Sequence, residues 1–222
     1  MTDIYHELIS DLNAKIFLSK HFSIFRHYQN LFLDKYGKEF TGEIIEIGGK
    51  RSYAHQRFFP NISSFRCTNI SEDGDDILDV TQMDLPDGSV NGFLCISVLE
   101  HVFDFKKAIH EMERTLKIDG KLLLVVPFAY PYHDEVDYWR FSQDAYTELL
   151  KDGFEIKSFT HLGGLFSTIV DNLNRPRGKL TVRYMVHKFV GLLILIFLGR
   201  FDRLDGFPLG YGIYAVKRKD HS

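Results

Sequence analysis

The stretch Glu43-Ile44-Ile45-Glu46-Ile47-Gly48-Gly49 decides the fold. Its β-branched, largely apolar residues followed by two glycines read as a buried strand that turns sharply at its carboxyl end. Apolar segments of similar length recur at 65–69, 77–80, 92–97 and 121–127. Between the last two, residues 104–117 put Phe105, Ala108, Ile109, Met112 and Leu116 on one helical face, with Asp104 placed to cap it. Strand, amphipathic crossover helix and strand in this order mark a parallel sheet covered on both faces. A further helix at 143–151 ends near Gly153 and leads into a strand at 154–160. Residues 210–218, GYGIYAVKR, alternate as a last strand closing an antiparallel hairpin.

Outside this core, apolar residues recur at helical spacing up to residue 38, so one or two helices precede the first strand. Residues 163–209 carry no strand signal and read as a helical insertion. The expected organisation is a single domain over 1–222, with amino-terminal helices in 1–40, a core in 41–162, the insertion in 163–209, and the last strand and tail in 210–222. A length of 222 residues with 45% hydrophobic content supports one core rather than two large ones.

Residues 1–10 lack a basic stretch followed by an apolar run, so no secretory signal is read and a cytoplasmic location is expected. Cys67 and Cys95 lie in strands expected to flank the first strand on opposite sides. Two strand spacings separate them by roughly 10 Å, beyond disulfide reach. The net charge of −3 is unevenly distributed: residues 175–222 hold ten Lys and Arg against three Asp. An acidic whole with its basic residues in one segment, and no evident aromatic stacking surface, argues against a nucleic-acid partner. The basic end contains the apolar run FVGLLILIFLG at 189–199, too short to span a bilayer. Two readings stand: a core helix, or a helix over 180–199 making peripheral contact with the membrane surface. Oligomeric state has no sequence signal.

In an open parallel sheet, ligands bind beyond the carboxyl ends of the central strands. Gly48 and Gly49 there permit close backbone approach, and Glu46 offers a carboxylate. A second constellation is the loop 127–141, PFAYPYHDEVDYWRF, which crowds His133, Asp134, Glu135, Asp137, aromatic residues and Arg140. His133 is the candidate general base, Asp134 its orienter or substitute, and His101 the second candidate. Each histidine can equally serve a structural hydrogen bond, and Trp139 and Arg140 can simply pack. No Cys/His set has zinc spacing, and the acidic residues of the loop read as solvated, so no metal is expected.

Three segments, EIIEIGG at 43–49, ILDVTQMDLPDGSVNGFLCISVLEHV at 77–102 and EMERTLKIDGKLLLVVP at 111–127, together resemble the class I S-adenosylmethionine-dependent methyltransferases of type 11. The resemblance covers about half of the chain. It implies a Rossmann-like, mostly parallel seven-stranded sheet with helices on both faces, and S-adenosyl-L-methionine as cofactor. By the same likeness Glu46, Gly48 and Gly49 sit near the methionine end, Asn69 beside the ribose, Asp79 and Val80 at the adenine, and Ser97 and Val98 beneath the sulfonium. Gly48→Val is expected to intrude where the cofactor lies. The chain departs from the family with Lys50 and Ser52 where glycines are usual, and with Asn69 where an acidic residue is usual.

The loop 127–141 resembles methyltransferases of bacterial surface-glycan clusters. The implied acceptor is a small polar molecule carrying a hydroxyl, on a sugar or glycan precursor. The alternative is a degenerate copy of the fold that acts as a binding or scaffold subunit.

Overall fold

The computed structural model describes residues 23–174, 182–202 and 206–219. They fall into two compact units, one within Leu33–Val126, His133–Phe159 and Gly212–Ser222, the other within Met1–Phe32, Pro127–Tyr132 and Thr160–Tyr211. The elements are α1 (Ile24–Gly37), β1 (Gly42–Ile47), β2 (Ile62–Asn69), β3 (Asp76–Ile77), β4 (Val90–Ile96), α2 (Phe105–Thr115), β5 (Leu116–Pro127), α3 (Gln143–Leu150), β6 (Phe154–Leu162), α4 (Leu165–Leu173), α5 (Val182–Leu198) and β7 (Gly210–Lys217).

The strands form one seven-stranded sheet in the order β3-β2-β1-β4-β5-β7-β6. Strands β1 to β5 pair in parallel. Strand β7 runs against β6, since the Leu209 amide bonds the Leu162 carbonyl and the Arg218 amide bonds the Gly153 carbonyl. Ile44, Ile45, Phe93, Leu94, Leu122, Leu123 and Leu124 are completely buried. Such runs, apolar at successive positions, are what a sheet covered on both faces requires. Helix α2 buries Ala108, Ile109 and Met112, and the Asp104 side chain accepts from the Lys107 amide at its start. Ser142 caps α3 in the same way.

Three elements differ from the sequence expectation. Strand β3 stops at Ile77, because Leu78 bonds back to the Asn69 carbonyl and Asp79 then accepts from the Thr81 amide and hydroxyl, turning the chain out of the sheet. Helix α2 ends at Thr115, and Leu116, expected on the helix, already pairs with Val90. The next pair in register is Gly92 with Lys121, so residues 117–120 bulge out, with Asp119 at φ 62°. The amino-terminal helical pattern is realised as α1, and its part before residue 23 lies outside the described residues.

In the unit that holds α4 and α5, buried acidic side chains cap helix starts. Asp202 accepts from the amides of Gly164, Phe166 and Ser167 at the start of α4. Asp171 accepts from Ile24 at 2.8 Å, at the start of α1. A carboxylate at a helix amino terminus satisfies orphan donors and suits the dipole. Among the described residues no helix is long and apolar enough to cross a membrane.

Candidate functional site

The carboxyl ends of β1, β2 and β4 lie side by side, with Ile47 opposite Thr68 and Cys95. Cys67 and Cys95 flank β1 on opposite sides and are both free and buried, as the strand order required. Burial, with Glu46 and Asp75 nearby, pushes the Cys67 thiol up to about 11, so it is unreactive at neutral pH.

Beyond β1 the chain turns at Gly48, whose φ is 69°; a Cβ there would meet Val98 Cγ2 at 2.4 Å. A Gly48→Val side chain therefore strikes Val98 first, whatever lies beyond it. The Gly49 amide donates to the Thr68 carbonyl, and the Asn69 side-chain amide donates to the Gly49 carbonyl at 2.7 Å. Asn69 Oδ1 accepts from the Ser71 amide and hydroxyl, so this side chain ties two loops together. Arg51 Nε donates to Asp75 Oδ1 at 2.9 Å, and Lys50 lies 3.5 Å from Asp73, joining the same loops.

Glu46 is buried, and its two oxygens accept from His55, from the amide at 3.2 Å and from Nδ1 at 2.5 Å. The His55 partnership was not read from the sequence. Asp79 is exposed on its turn, while Val80 is buried beside it. The segment that follows is anchored by Glu111, which accepts from the Met83 amide, and by Arg114, which donates to the carbonyls of Met83 and Leu85. The Arg114 guanidinium holds the Glu111 carboxyl down to about 2.

After β4, Ser97 has φ 51°, and its amide donates to the Val125 carbonyl. A non-glycine residue in this conformation is strained, and strain of this kind concentrates at functional sites. One 3-10 turn, Leu99–His101, follows. Onto it folds the loop around His133: the amides of Tyr138 and Trp139 donate to the Glu100 carbonyl, and Trp139 Nε1 donates to the Val102 carbonyl. Phe105, Trp139, Phe141 and Tyr146 pack ring on ring beneath it.

This docking brings Glu100, His101 and His133 together, with donor atoms all within 4.8 Å of one another. His101 Nδ1 lies 2.5 Å from the Val136 carbonyl oxygen, which can only accept, so the proton is on Nδ1 and Nε2 carries the lone pair. His133 Nδ1 lies 3.1 Å from Asp137 Oδ2 and 3.5 Å from Arg140 Nη2. Asp137 and Arg140 thus both meet the Nδ1 side of the His133 ring, while its Nε2 faces Glu100 and Asp134. Asp137 is itself forked by Arg140, which keeps its carboxyl down to about 2. Asp134, at φ 59°, places Oδ2 at 3.7 Å from His101 Nε2 and 3.9 Å from His133 Nε2.

The predicted pair His101 and His133 is thus one cluster, with Asp134 at its exposed rim. Sequence reasoning missed Glu100, although it stands inside the SVLEHV motif. Glu100 is buried, and burial pushes its carboxyl up to about 8.

A sheet in this strand order is an architecture shared with known proteins. Residues 66–124 match the family model described as a methyltransferase domain. The chain has the Rossmann-like methyltransferase fold. Solved structures of this fold cover most of it: a chain of the Haloferax volcanii complex between the Trm112 methyltransferase activator and a methyltransferase aligns at TM-score 0.58 and 16% identity, covering 87% of this chain and 91% of that one. Phosphoethanolamine N-methyltransferase 2 of Haemonchus contortus, in complex with S-adenosyl-L-methionine, aligns at TM-score 0.56 and 15% identity, covering 86% and 52%. A protein named the [4+2]-cyclase SpnF aligns at TM-score 0.58 and 15% identity, covering 90% and 85%. No curated protein matches the chain significantly. The methyltransferase-domain family binds S-adenosylmethionine. Since a protein named as a cyclase shares the methyltransferase fold, the activity of this chain has to be argued from its site.

Proposed function

We propose that the chain binds S-adenosylmethionine and transfers its methyl group to a hydroxyl of a small polar acceptor, on a sugar or glycan precursor. Glu46, Gly48 and Gly49 would hold the methionine end, Asn69 and Asp79 with Val80 the nucleoside, and Ser97 with Val98 the space beneath the sulfonium. The observation that carries the reading is the meeting of two imidazoles, His101 from the turn after β4 and His133 from the loop after β5, with the buried Glu100.

Methyl transfer is an in-line displacement: the acceptor oxygen attacks the methyl carbon, the carbon–sulfur bond breaks, and the cofactor leaves as a neutral thioether. The hydroxyl proton passes to His133, whose resulting positive charge Asp137, 3.1 Å from Nδ1, would stabilise. Phe103 and Tyr138, exposed and 5.4 Å apart as ring centroids, offer apolar faces of the sort that pack on a sugar ring. The glycan-cluster likeness of the loop 127–141 supports the same acceptor class. Incubation with methyl-labelled cofactor and a panel of free and nucleotide-linked sugars tests it. Label in a sugar hydroxyl supports the reading; label confined to amine acceptors overturns the acceptor class.

A second reading, a non-catalytic binding subunit, is favoured by one observation. Asn69, the candidate ribose partner, has its amide engaged by Gly49 and Ser71. Cofactor binding without transfer to any acceptor would support it.

A cytoplasmic protein with peripheral membrane contact is the corresponding proposal for location. It rests on α5, where Met185, Phe189, Leu193 and Phe197 are exposed along one side of the helix.

A further inference from the structure

Glu100 is 2% exposed, and neither of its oxygens has a hydrogen-bond partner. A buried carboxylate in this condition is costly, and such sites persist where a ligand completes them. Its Oε1 faces His101 Nε2 at 3.7 Å and His133 Nε2 at 3.9 Å, both too long for hydrogen bonds. Asp134 Oδ2 faces the same two nitrogens at 3.7 and 3.9 Å from the solvent side. Glu100 and Asp134 thus each face both imidazoles, and Glu100, His101 and His133 bring their donor atoms within 4.8 Å of one another.

We propose that Glu100, His101, His133 and Asp134 form a binding site for one divalent transition-metal ion. Four donors at ~2.1 Å from a tetrahedral ion are about 3.4 Å apart. The carboxylate-to-imidazole separations are a few tenths of an ångström longer, and the donor atoms of Glu100, His101 and His133 lie within 4.8 Å of one another, a contraction that side-chain rotation supplies. His101 is already set for ligation: the Val136 carbonyl holds its Nδ1 proton, so that its Nε2 lone pair points inward, and the His133 Nδ1 faces Asp137 while its Nε2 faces Glu100. An outer partner on each ligating imidazole is the usual accompaniment of a metal site. The mixed nitrogen and oxygen set suits Zn²⁺, Mn²⁺ or Co²⁺ better than Mg²⁺, which prefers oxygen and water. The sequence reading expected no metal because the donors are not at zinc-motif spacing; β5 and the loop after it bring His133 back to His101.

This inference stands on the donor geometry, and only its catalytic use rests on the methyltransferase reading. An acceptor hydroxyl ligated by the ion loses its proton more readily. In the metal-loaded protein His133 would serve as a ligand and the hydroxyl proton would leave to solvent; the transfer to His133 proposed above belongs to the metal-free protein.

The test uses untagged full-length protein, stripped with a chelator and titrated calorimetrically with Zn²⁺, then with Mn²⁺ and Mg²⁺. The expected result is one tight Zn²⁺ per chain, with Mg²⁺ at least tenfold weaker. Co²⁺ should give visible d–d absorption from a site containing nitrogen ligands. Glu100→Gln, close in shape, should weaken Zn²⁺ binding at least tenfold, and the double variant His101→Ala/His133→Ala should abolish the tight site. Absence of one-to-one binding, or Zn²⁺ affinity unchanged in both variants with circular dichroism unchanged, overturns the proposal. S-adenosylmethionine is titrated separately: cofactor binding without metal binding defeats only this inference, and metal binding without cofactor binding defeats only the methyltransferase reading.

Discussion

Glu46 Oε1 lies 2.5 Å from His55 Nδ1 in the interior, directly behind the glycine turn. The residue expected to meet the cofactor is thus already held by a partner from the same loop. Replacing His55 by alanine strips the imidazole hydrogen bond from Glu46 Oε1 and leaves the backbone one to Oε2. His55→Ala should destabilise the fold by about 1–3 kcal/mol and weaken S-adenosylmethionine binding. Denaturant unfolding and calorimetry check both; unchanged stability would mean that water replaces the imidazole without cost.

Gly48 and Val98 should behave as a coupled pair. Gly48→Ala forces a left-handed backbone on alanine and drives its Cβ to 2.4 Å from Val98 Cγ2. The expected loss is roughly 1–3 kcal/mol. Adding Val98→Ala should relieve the collision but not the backbone cost, so the double variant recovers only part of the loss. Full additivity in chemical unfolding would show that the two residues do not touch.

The loop that follows Asp79 should loosen in acid. Glu111 is held down to about 2 by its bond to Arg114, below the ordinary value of about 4.3. A depressed carboxyl stabilises the fold above its unfolded pKa and loses that contribution as pH falls toward its folded one. Stability should therefore decline between about pH 4.5 and 2. Glu111→Gln should remove on the order of 1–2 kcal/mol at neutral pH after solvent screening and flatten the decline. An equally steep acid limb in that variant would assign the effect to other carboxylates.

His133→Gln should lower turnover about a hundredfold or more with a sugar acceptor, while cofactor affinity stays near wild type. Near-normal turnover would return proton removal to His101 or Asp134.

Helix α5 should bind anionic vesicles in a salt-sensitive way, because its exposed apolar side belongs to a basic segment of sequence. Phe197→Glu, at a position 65% exposed, should abolish binding and leave thermal stability unchanged. Protein that ignores such vesicles at low salt contradicts the membrane contact.

The sheet was legible because its signals are local: Ile44, Ile45 and Ile47 announce a buried strand, Gly48 its turn, and Asp104 the cap of α2. The site was legible in part. His101 and His133 stood out as residue types beside motifs, but their meeting depends on Tyr138 and Trp139 docking on the Glu100 carbonyl, a long-range bond with no sequence periodicity. Glu100 was hidden because a single 3-10 turn after a strained serine decides that it points inward. His55 was hidden for a similar reason, since only the path of the turn after Gly49 carries it back to Glu46. Strand β3 was overread because Leu78, Asp79 and Val80 look like a strand until Thr81 captures Asp79.

The central claim is that this fold binds S-adenosylmethionine, and a calorimetric titration of the whole protein tests it most directly. The account predicts saturable one-to-one binding with a Kd of roughly 1–100 μM, about −8 to −5.5 kcal/mol, displaced by S-adenosylhomocysteine and weakened in Glu46→Gln. No heat and no thermal shift at millimolar cofactor would contradict it.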